Sequence, residues 1–437
     1  MDELPGYSGV ALRLLKGAKA RVGDVLSADT DWGKVTGTLV PRYAGSASDA
    51  VVIKLPSGYN IGLSPRSLRS VRVVAKGEKP SFSAPEPPKA DTSLPKVLVL
   101  GTGGTIASRV DYRTGAVHPA VTSSELHSLV PELSKFARLQ TEILFNVFSE
   151  NIGPSHWTKI ARRVVAAVAS RVDGVVVTHG TDTMGYSAAA LSFALSGVPI
   201  PVVLVGAQRS SDRPSSDGPL NLVAGVSAAA TAPFSGVYVA MHLDESDDTV
   251  ALHRGTRVRK DHTSSRDAFE SIGVPPASFW RGGRLEGTDA ALPPRGDIKA
   301  FHPRPGFDSR VSLIKSHPSM QPSIFSWAGK EGLKGLVLEG TGLGHVGSNA
   351  LAGIRRLVKG GVMVCMTSQC LNGRVNMNVY DTGRDLLEAG VVPLEDMLPE
   401  TALVKAMWAL RNSKSSKGAA ELMRRNLQGE TTSRTLS

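Results

Sequence analysis

Two short segments of this chain hold the residue types that amide hydrolysis by a hydroxyl group needs. Gly101-Thr102-Gly103-Gly104-Thr105-Ile106-Ala107 follows the apolar run Val97-Leu98-Val99-Leu100, and His179-Gly180-Thr181-Asp182-Thr183-Met184 follows Gly174-Val175-Val176-Val177-Thr178. Each run reads as a strand buried on both faces. Each turn then opens at the carboxyl end of a strand, where wound α/β sheets place their sites. A threonine hydroxyl attacks a carbonyl only after a base takes its proton. Thr105 and Thr181 are the candidate nucleophiles. Asp182 sets a carboxylate in the same turn, to hold a substrate ammonium or to orient a base. Lys260, in Arg257-Val258-Arg259-Lys260-Asp261-His262-Thr263, is the candidate base, since burial beside hydroxyls lowers a lysine's pKa. The glycines of the first turn let backbone N–H groups approach a substrate, as an oxyanion hole requires.

Taken singly, each feature has a plainer reading. Small residues and threonines after a strand often only make a tight turn and cap the next helix. A lysine just after two arginines is usually a solvated charge, so local physics alone does not select Lys260, and His179 reads as a packed or capping residue rather than a catalyst. Thr102-Gly103-Gly104-Thr105 fits neither common phosphate loop, so no nucleotide site is expected. Histidines, cysteines and carboxylates are not clustered at metal spacing, so no metal site is expected.

The elements that must position these turns alternate from Lys96 onward. Strands are expected at 97–100, 174–178, 201–205 and 237–240, with helices at 157–168, 187–196 and 220–230 between them. This is a wound α/β domain. Residues 270–308 are rich in Pro, Gly and charge and read as a connection. Strands at 313–314, 335–338 and 362–365, with a helix at 348–358, make a second, smaller α/β domain. Upstream, short strand candidates at 22–26, 35–40, 50–55 and 70–74, separated by turns and without a helix signal, suggest a small β-barrel. Residues 76–95 carry five prolines and read as a semi-extended linker. The expected division is 1–75 barrel, 76–95 linker, 96–285 large domain, 286–308 connection and 309–437 small domain with a basic tail.

The 437 residues, 41% apolar and 20% charged, allow two or three domains with a sizeable core. Cys365 and Cys370 cannot build a disulfide framework; both read as buried thiols in a reducing compartment. Met1-Asp2-Glu3-Leu4-Pro5 has no apolar leader pattern, and no apolar run approaches the ~20 residues of a membrane span, so a cytoplasmic protein is expected. The net charge of +11 attracts polyanions such as RNA, although a basic surface alone is weak evidence. The tail from Arg411 is basic as well, and reads as a solvated terminal helix or as a face for RNA or a partner.

Together, the two threonine turns resemble the signatures of the bacterial-type L-asparaginase/glutaminase family over roughly Lys96 to Arg411. The resemblance implies a site of Thr105, Thr181, Asp182 and Lys260. Thr105 would be the nucleophile that forms an acyl-enzyme and the other three a proton-relay triad; which threonine attacks first stays open. Tyr112, in Asp111-Tyr112-Arg113-Thr114-Gly115, resembles the tyrosine of the family's lid. Ser149 and Glu150 resemble the pair that holds the amino-acid end of the substrate. Glu150 departs from the glutamine common in free asparaginases. The family's acidic residue donated by a neighbouring subunit has no match around Asn372–Asp381, and the family builds its site at a homodimer interface.

An N-terminal barrel, a Pro-rich linker and an asparaginase-like unit is also the layout of the D subunits of archaeal-type glutamyl-tRNA(Gln) amidotransferases, the glutaminases of those complexes. Gly342-Leu343-Gly344-His345-Val346, Met366-Thr367-Ser368-Gln369-Cys370 and Met397-Leu398-Pro399-Glu400-Thr401-Ala402 are similar to segments of that family. This implies a glutaminase that passes ammonia to a partner, the amidotransferase E subunit, which uses ATP and Mg to activate glutamate on mischarged tRNA(Gln). It implies a homodimer within a heterotetramer, and no cofactor on this chain. Two other readings stay open: a stand-alone cytoplasmic L-asparaginase, and an asparaginase-like scaffold that binds RNA or a partner without catalysis.

Overall fold

The structure is a computed structural model of the chain. It describes residues 4, 6–42, 49–55, 60–77, 91–104, 108–111, 116–119, 126, 130–209 and 216–434, with the side chains of 60, 108–111 and 116–119 outside that description. Thr105 and Tyr112 therefore lie outside the described residues, as does most of the 76–95 segment.

The N-terminal unit begins with a helix, α1 (Gly9–Gly17), where the sequence shows no clear helix signal. Its one trace is the i, i+4 pair Ala11 and Leu15, both fully buried. The strands β1 (Val25–Thr30), β2 (Gly33–Leu39), β3 (Val51–Lys54), β4 (Asn60–Leu63) and β5 (Leu68–Ala75) follow. They form an antiparallel sheet in the order β4-β3-β2-β1-β5. The core beneath α1 takes Leu26, Ala28, Leu39, Val51 and Ile53, alternate residues that point to one face of the sheet. The β4 strand escapes the sequence pattern because Asn60-Ile61-Gly62-Leu63 is short and interrupted by glycine.

The large domain is built on β6 (Lys96–Gly101), β9 (Arg138–Ile143), β10 (Gly174–Thr178), β11 (Pro201–Val205) and β12 (Gly236–His242). The hairpin β7 (Ser108–Asp111) and β8 (Ala116–Pro119) lies between β6 and β9 in the chain. Strands β13 (Thr249–Arg254), β16 (Ser278–Arg281) and β17 (Arg284–Glu286) complete the large sheet. Its order among the described residues is β17-β16-β13-β12-β11-β10-β6-β9. Strands β9, β6, β10, β11 and β12 are parallel, whereas β13, β16 and β17 are antiparallel. Part of the expected 270–308 connection is thus a hairpin that extends this sheet. Its glycines, Gly282 and Gly283, make the turn at positive φ and mask the short strands on either side.

Alternate residues of the central strands face opposite layers. Leu98, Leu100, Val175, Val177, Val202 and Leu204 pack under α2 (Pro154–Ala169) and α3 (Met184–Ala194). Val97, Val99, Val176, Val203 and Val205 pack under α4 (Gly218–Thr231). Burial on both faces explains the continuous apolar runs in the sequence.

The small domain is a parallel sheet of β18 (Val311–Lys315), β19 (Gly335–Gly340), β20 (Met363–Ser368) and β21 (Val392–Pro393), in that order. The helices α5 (Ser323–Lys330), α6 (Leu351–Lys359), α7 (Asp381–Glu388), α8 (Pro399–Arg411) and α9 (Ser416–Arg424) accompany it. The large domain's Trp157 and Phe193 share a core with Val404, Ala406 and Trp408 of α8. The Phe193 and Trp408 rings lie 5.8 Å apart. Burying a side chain such as Phe193 contributes about 1.5–3 kcal/mol, so the two domains are held as packed neighbours.

Cys365 is buried, and burial pushes its thiol up to about 12. Cys370 is exposed, contrary to the expectation of two buried thiols. It sits two residues past the end of β20, where the chain has left the core. The basic tail is no free appendage either: Ala419 and Met423 of α9 are buried in the inter-domain core.

Candidate active site

The two threonine turns leave adjacent parallel strands at matching heights. β6 and β10 pair in register, with Gly101 opposite Thr178. The turns are tied together at once: the Thr102 amide and hydroxyl both donate to the Thr178 carbonyl, at 3.2 and 2.7 Å. Glycine is required at 104. Its φ is +81°, and a Cβ there would lie 2.8 Å from the Gly180 nitrogen.

The second turn is a single 3₁₀ turn, Thr181–Thr183, that runs directly into α3. A buried hydrogen-bond chain fixes its entry. Trp157 Nε1 donates to Ser187 Oγ at 2.9 Å, and Ser187 Oγ pairs with His179 Nε2 at 2.7 Å. His179 Nδ1 lies 2.6 Å from the Gly180 carbonyl. A neutral ring protonated on Nδ1 satisfies all three contacts. Burial pushes the His179 pKa down to about 4, which keeps the ring neutral. His179 is therefore the packed residue that the sequence suggests, with a positioning task added by its contact to Gly180.

Lys260 reaches this turn from elsewhere. It ends β14 (Val258–Lys260), which pairs with β15 (Phe269–Ser271). Its Nζ donates to Thr181 Oγ1 at 3.0 Å and to Asp182 Oδ1 at 2.7 Å. The Lys260 side chain is 14% exposed and that of Asp182 70% exposed, so a largely covered amine meets a carboxylate that faces outward. The reading of Lys260 as an ordinary solvated charge is thereby set aside. Arg259 beside it bridges Asp261 and Glu400, at 3.4 and 3.2 Å.

Ser149 and Glu150 form a 3₁₀ turn, Ser149–Asn151, next to the second threonine turn. Thr183 Oγ1 donates to the Ser149 carbonyl at 2.6 Å. A Cβ on Gly180 would lie 2.8 Å from the Ser149 Cβ. Ser149 is buried and Glu150 exposed. The fold therefore brings Thr181, Asp182, Lys260 and Ser149 into one cluster beyond the β6 and β10 strand ends, with Glu150 beside it. The Trp157–Ser187–His179 chain is not legible in the sequence, because its members are far apart and individually ordinary core types.

A lysine bonded to a threonine and an aspartate beyond parallel strand ends is what the resemblance to the asparaginase/glutaminase class implies. Residues 96–291 match the family model described as Asparaginase, N-terminal, and residues 310–423 that described as Glutaminase/Asparaginase C-terminal domain. Among solved structures, the thermostable L-asparaginase from Thermococcus kodakarensis is 35% identical with a TM-score of 0.68, covering 77% of this chain and 99% of that one. L-asparaginase I from Vibrio cholerae is 28% identical with a TM-score of 0.66, covering 78% and 99%.

Both solved structures are almost fully covered, yet each leaves part of this chain unmatched. Residues 20–74 match the model described as GatD N-terminal domain. The D subunit of the Pyrococcus abyssi glutamyl-tRNA(Gln) amidotransferase is 47% identical over 424 residues, 96% of each chain. That of Metallosphaera sedula is 46% identical over 430 residues, 98% of this chain and 96% of its own. The chain belongs to the family of glutamyl-tRNA(Gln) amidotransferase D subunits.

Proposed function

We propose that this chain is the glutaminase subunit of an ATP-dependent glutamyl-tRNA(Gln) amidotransferase. It hydrolyses glutamine and supplies ammonia to a partner subunit that converts Glu-tRNA(Gln) to Gln-tRNA(Gln). The observation that carries this is the match of the N-terminal residues 20–74 together with near-complete alignment to the D-subunit relatives. A free asparaginase needs no such unit.

In this reading a threonine oxygen, that of Thr105 in the first turn, attacks the side-chain amide carbon of glutamine. The C–N bond breaks, ammonia departs with a proton, and water then releases glutamate from the acyl-enzyme. Lys260, with Asp182 holding it against Thr181, relays protons between hydroxyl and leaving group. Ser149 and Glu150 hold the amino-acid end, and Tyr112 belongs to a lid that excludes water. The division 1–75, 76–95, 96–285, 286–308 and 309–437, with a barrel-like first unit, belongs to the same reading. So do a cytoplasmic location, the partner E subunit with its ATP and Mg, and a homodimer within a heterotetramer.

The test is a rate comparison. The purified chain alone hydrolyses glutamine slowly; adding the partner, ATP and Glu-tRNA(Gln) raises the rate strongly. A fast rate that is indifferent to partner and tRNA would overturn the proposal and favour a stand-alone asparaginase.

A further inference from the structure

The segment after α9 lies past the residues matched by the C-terminal domain model, which ends at 423. It nevertheless runs back across both domains and is pinned at buried points. Lys405 and Glu430 form an ion pair at 2.5 Å with both side chains fully buried. Lys405 Nζ also donates to the Met423 and Arg425 carbonyls. The Glu430 carboxylate accepts from the Leu427 and Gln428 amides, so it folds its own segment into a tight loop.

This loop grips the base of the hairpin that carries Lys260. Arg257, 1% exposed, stands three residues before Lys260. Its Nε donates to the Ile272 carbonyl at 2.9 Å, while the Ile272 amide donates back to the Arg257 carbonyl at 2.8 Å. Those two bonds close the open end of the β14–β15 hairpin. The rest of the guanidinium faces the small domain and the tail: one nitrogen reaches the Asp396 and Glu430 carbonyls at 2.9 and 3.1 Å, the other Asp396 Oδ2 at 3.1 Å. Asp396 in turn accepts from the Thr432 amide at 2.9 Å and hydroxyl at 2.5 Å. The Thr256 hydroxyl, one residue earlier, donates to the Gln428 carbonyl at 3.0 Å, and the Thr256 carbonyl accepts from Thr401 at 2.9 Å.

We propose that the terminal segment Leu427–Thr432 is a strap that acts through Arg257 to hold Lys260 at Thr181 and Asp182. Arg257 is a positioning residue: it touches none of the site groups and reaches them through the hairpin. The need for such a strap follows from the geometry. β14 is only three residues long and, among the described residues, pairs only with β15, itself three residues long. Without an anchor at its base, so short a ladder leaves a long lysine side chain free to swing away from the 3.0 Å contact that proton transfer requires. The arginine fork supplies four directed bonds from one rigid plane, which a lysine at 257 does not reproduce.

The proposal rests on the reading of Lys260 as a member of the proton relay, and the experiment separates the two. Glutamine hydrolysis is measured for the full chain assembled with its ATP-dependent partner and Glu-tRNA(Gln), in a double-mutant cycle of Arg257→Met and Lys260→Ala. Arg257→Met is expected to lower kcat about tenfold or more with KM changed less than about twofold, and Arg257→Lys to recover only part of it. In the Lys260→Ala background, Arg257→Met should cost nothing further. Equal losses in both backgrounds would overturn the strap while leaving the relay intact. A silent Lys260→Ala would overturn both. Because Arg257→Met removes a buried charge and its fold is at risk, Thr432→Val gives a second arm. It deletes only a hydroxyl at the strap's end and should show the same kcat-selective, Lys260-dependent loss at smaller size; a loss independent of Lys260 would again overturn the strap.

Discussion

The hydroxyl of Thr102 donates at 2.7 Å to the carbonyl of Thr178, joining the ends of two neighbouring parallel strands beneath the site. Both candidate turns start from this bridge, so their separation is set by backbone contact rather than by long side chains. The contact is tight enough to exclude a side chain from Gly104. A methyl there would lie 2.8–2.9 Å from the His179 and Gly180 backbone, at a φ of +81° that L residues rarely adopt. Gly104→Ala should destabilise the protein by about 1–3 kcal/mol and lower glutamine turnover at least tenfold. Urea unfolding and the assembled glutaminase assay check both halves.

Substitution of Lys260 should separate stability from activity. Its ion pair with Asp182 involves a carboxylate that is 70% exposed, and such pairs contribute only about 0–1 kcal/mol. Lys260→Met should therefore leave the unfolding midpoint nearly unchanged while reducing turnover by about two orders of magnitude or more, as loss of a general acid–base group does. A large drop in stability with little change in rate would assign Lys260 a structural task instead.

Burial lowers the pKa of three histidines, His179, His242 and His253, so all three contribute to the pH dependence of stability, with His179 and His253 shifted most. Burial pushes both His179 and His253 down to about 4, against an ordinary value of 6.5. Between those values the unfolded chain binds protons that the native chain does not, so stability rises with pH across that window. Their contribution is complete above pH 6.5 and is lost as pH falls towards 4, roughly 2 kcal/mol per histidine by about pH 5. Urea midpoints at about pH 7.5 and 5 bracket the loss and test this. His253→Gln should reduce the difference between the two pH values relative to the unaltered chain, because one of the strongly shifted buried groups no longer titrates.

How far the sequence carries this picture depends on the range of the interactions. Val97–Leu100 and Val175–Val177 announce doubly buried strands because every residue in them is apolar. The turns after them are legible because glycine and threonine cluster there. Lys260 is visible only through family resemblance. Its neighbours in sequence, Arg257 and Arg259, suggest a solvated stretch, whereas the fold buries Arg257 against Asp396 and the tail. That partnership spans 139 residues, and no local pattern encodes it. The helix α1 is hidden for a different reason: nine residues that begin and end on glycine have weak propensity, and packing on the sheet supplies what propensity lacks.

Glu150 offers a test of substrate recognition that leaves the chemistry alone. It is exposed beside buried Ser149, in a turn anchored to Thr183 through the Ser149 carbonyl. A carboxylate at that place attracts the ammonium of a free amino acid, but water screens the interaction, so its worth is about 0.5–1 kcal/mol. Glu150→Gln keeps size and hydrogen-bonding reach and removes only the charge. It should raise KM for glutamine about two- to fivefold with kcat nearly constant, the signature of a contact made equally in ground and transition states. The effect should shrink at high salt. A fall in kcat at unchanged KM would instead place Glu150 in the proposed proton relay.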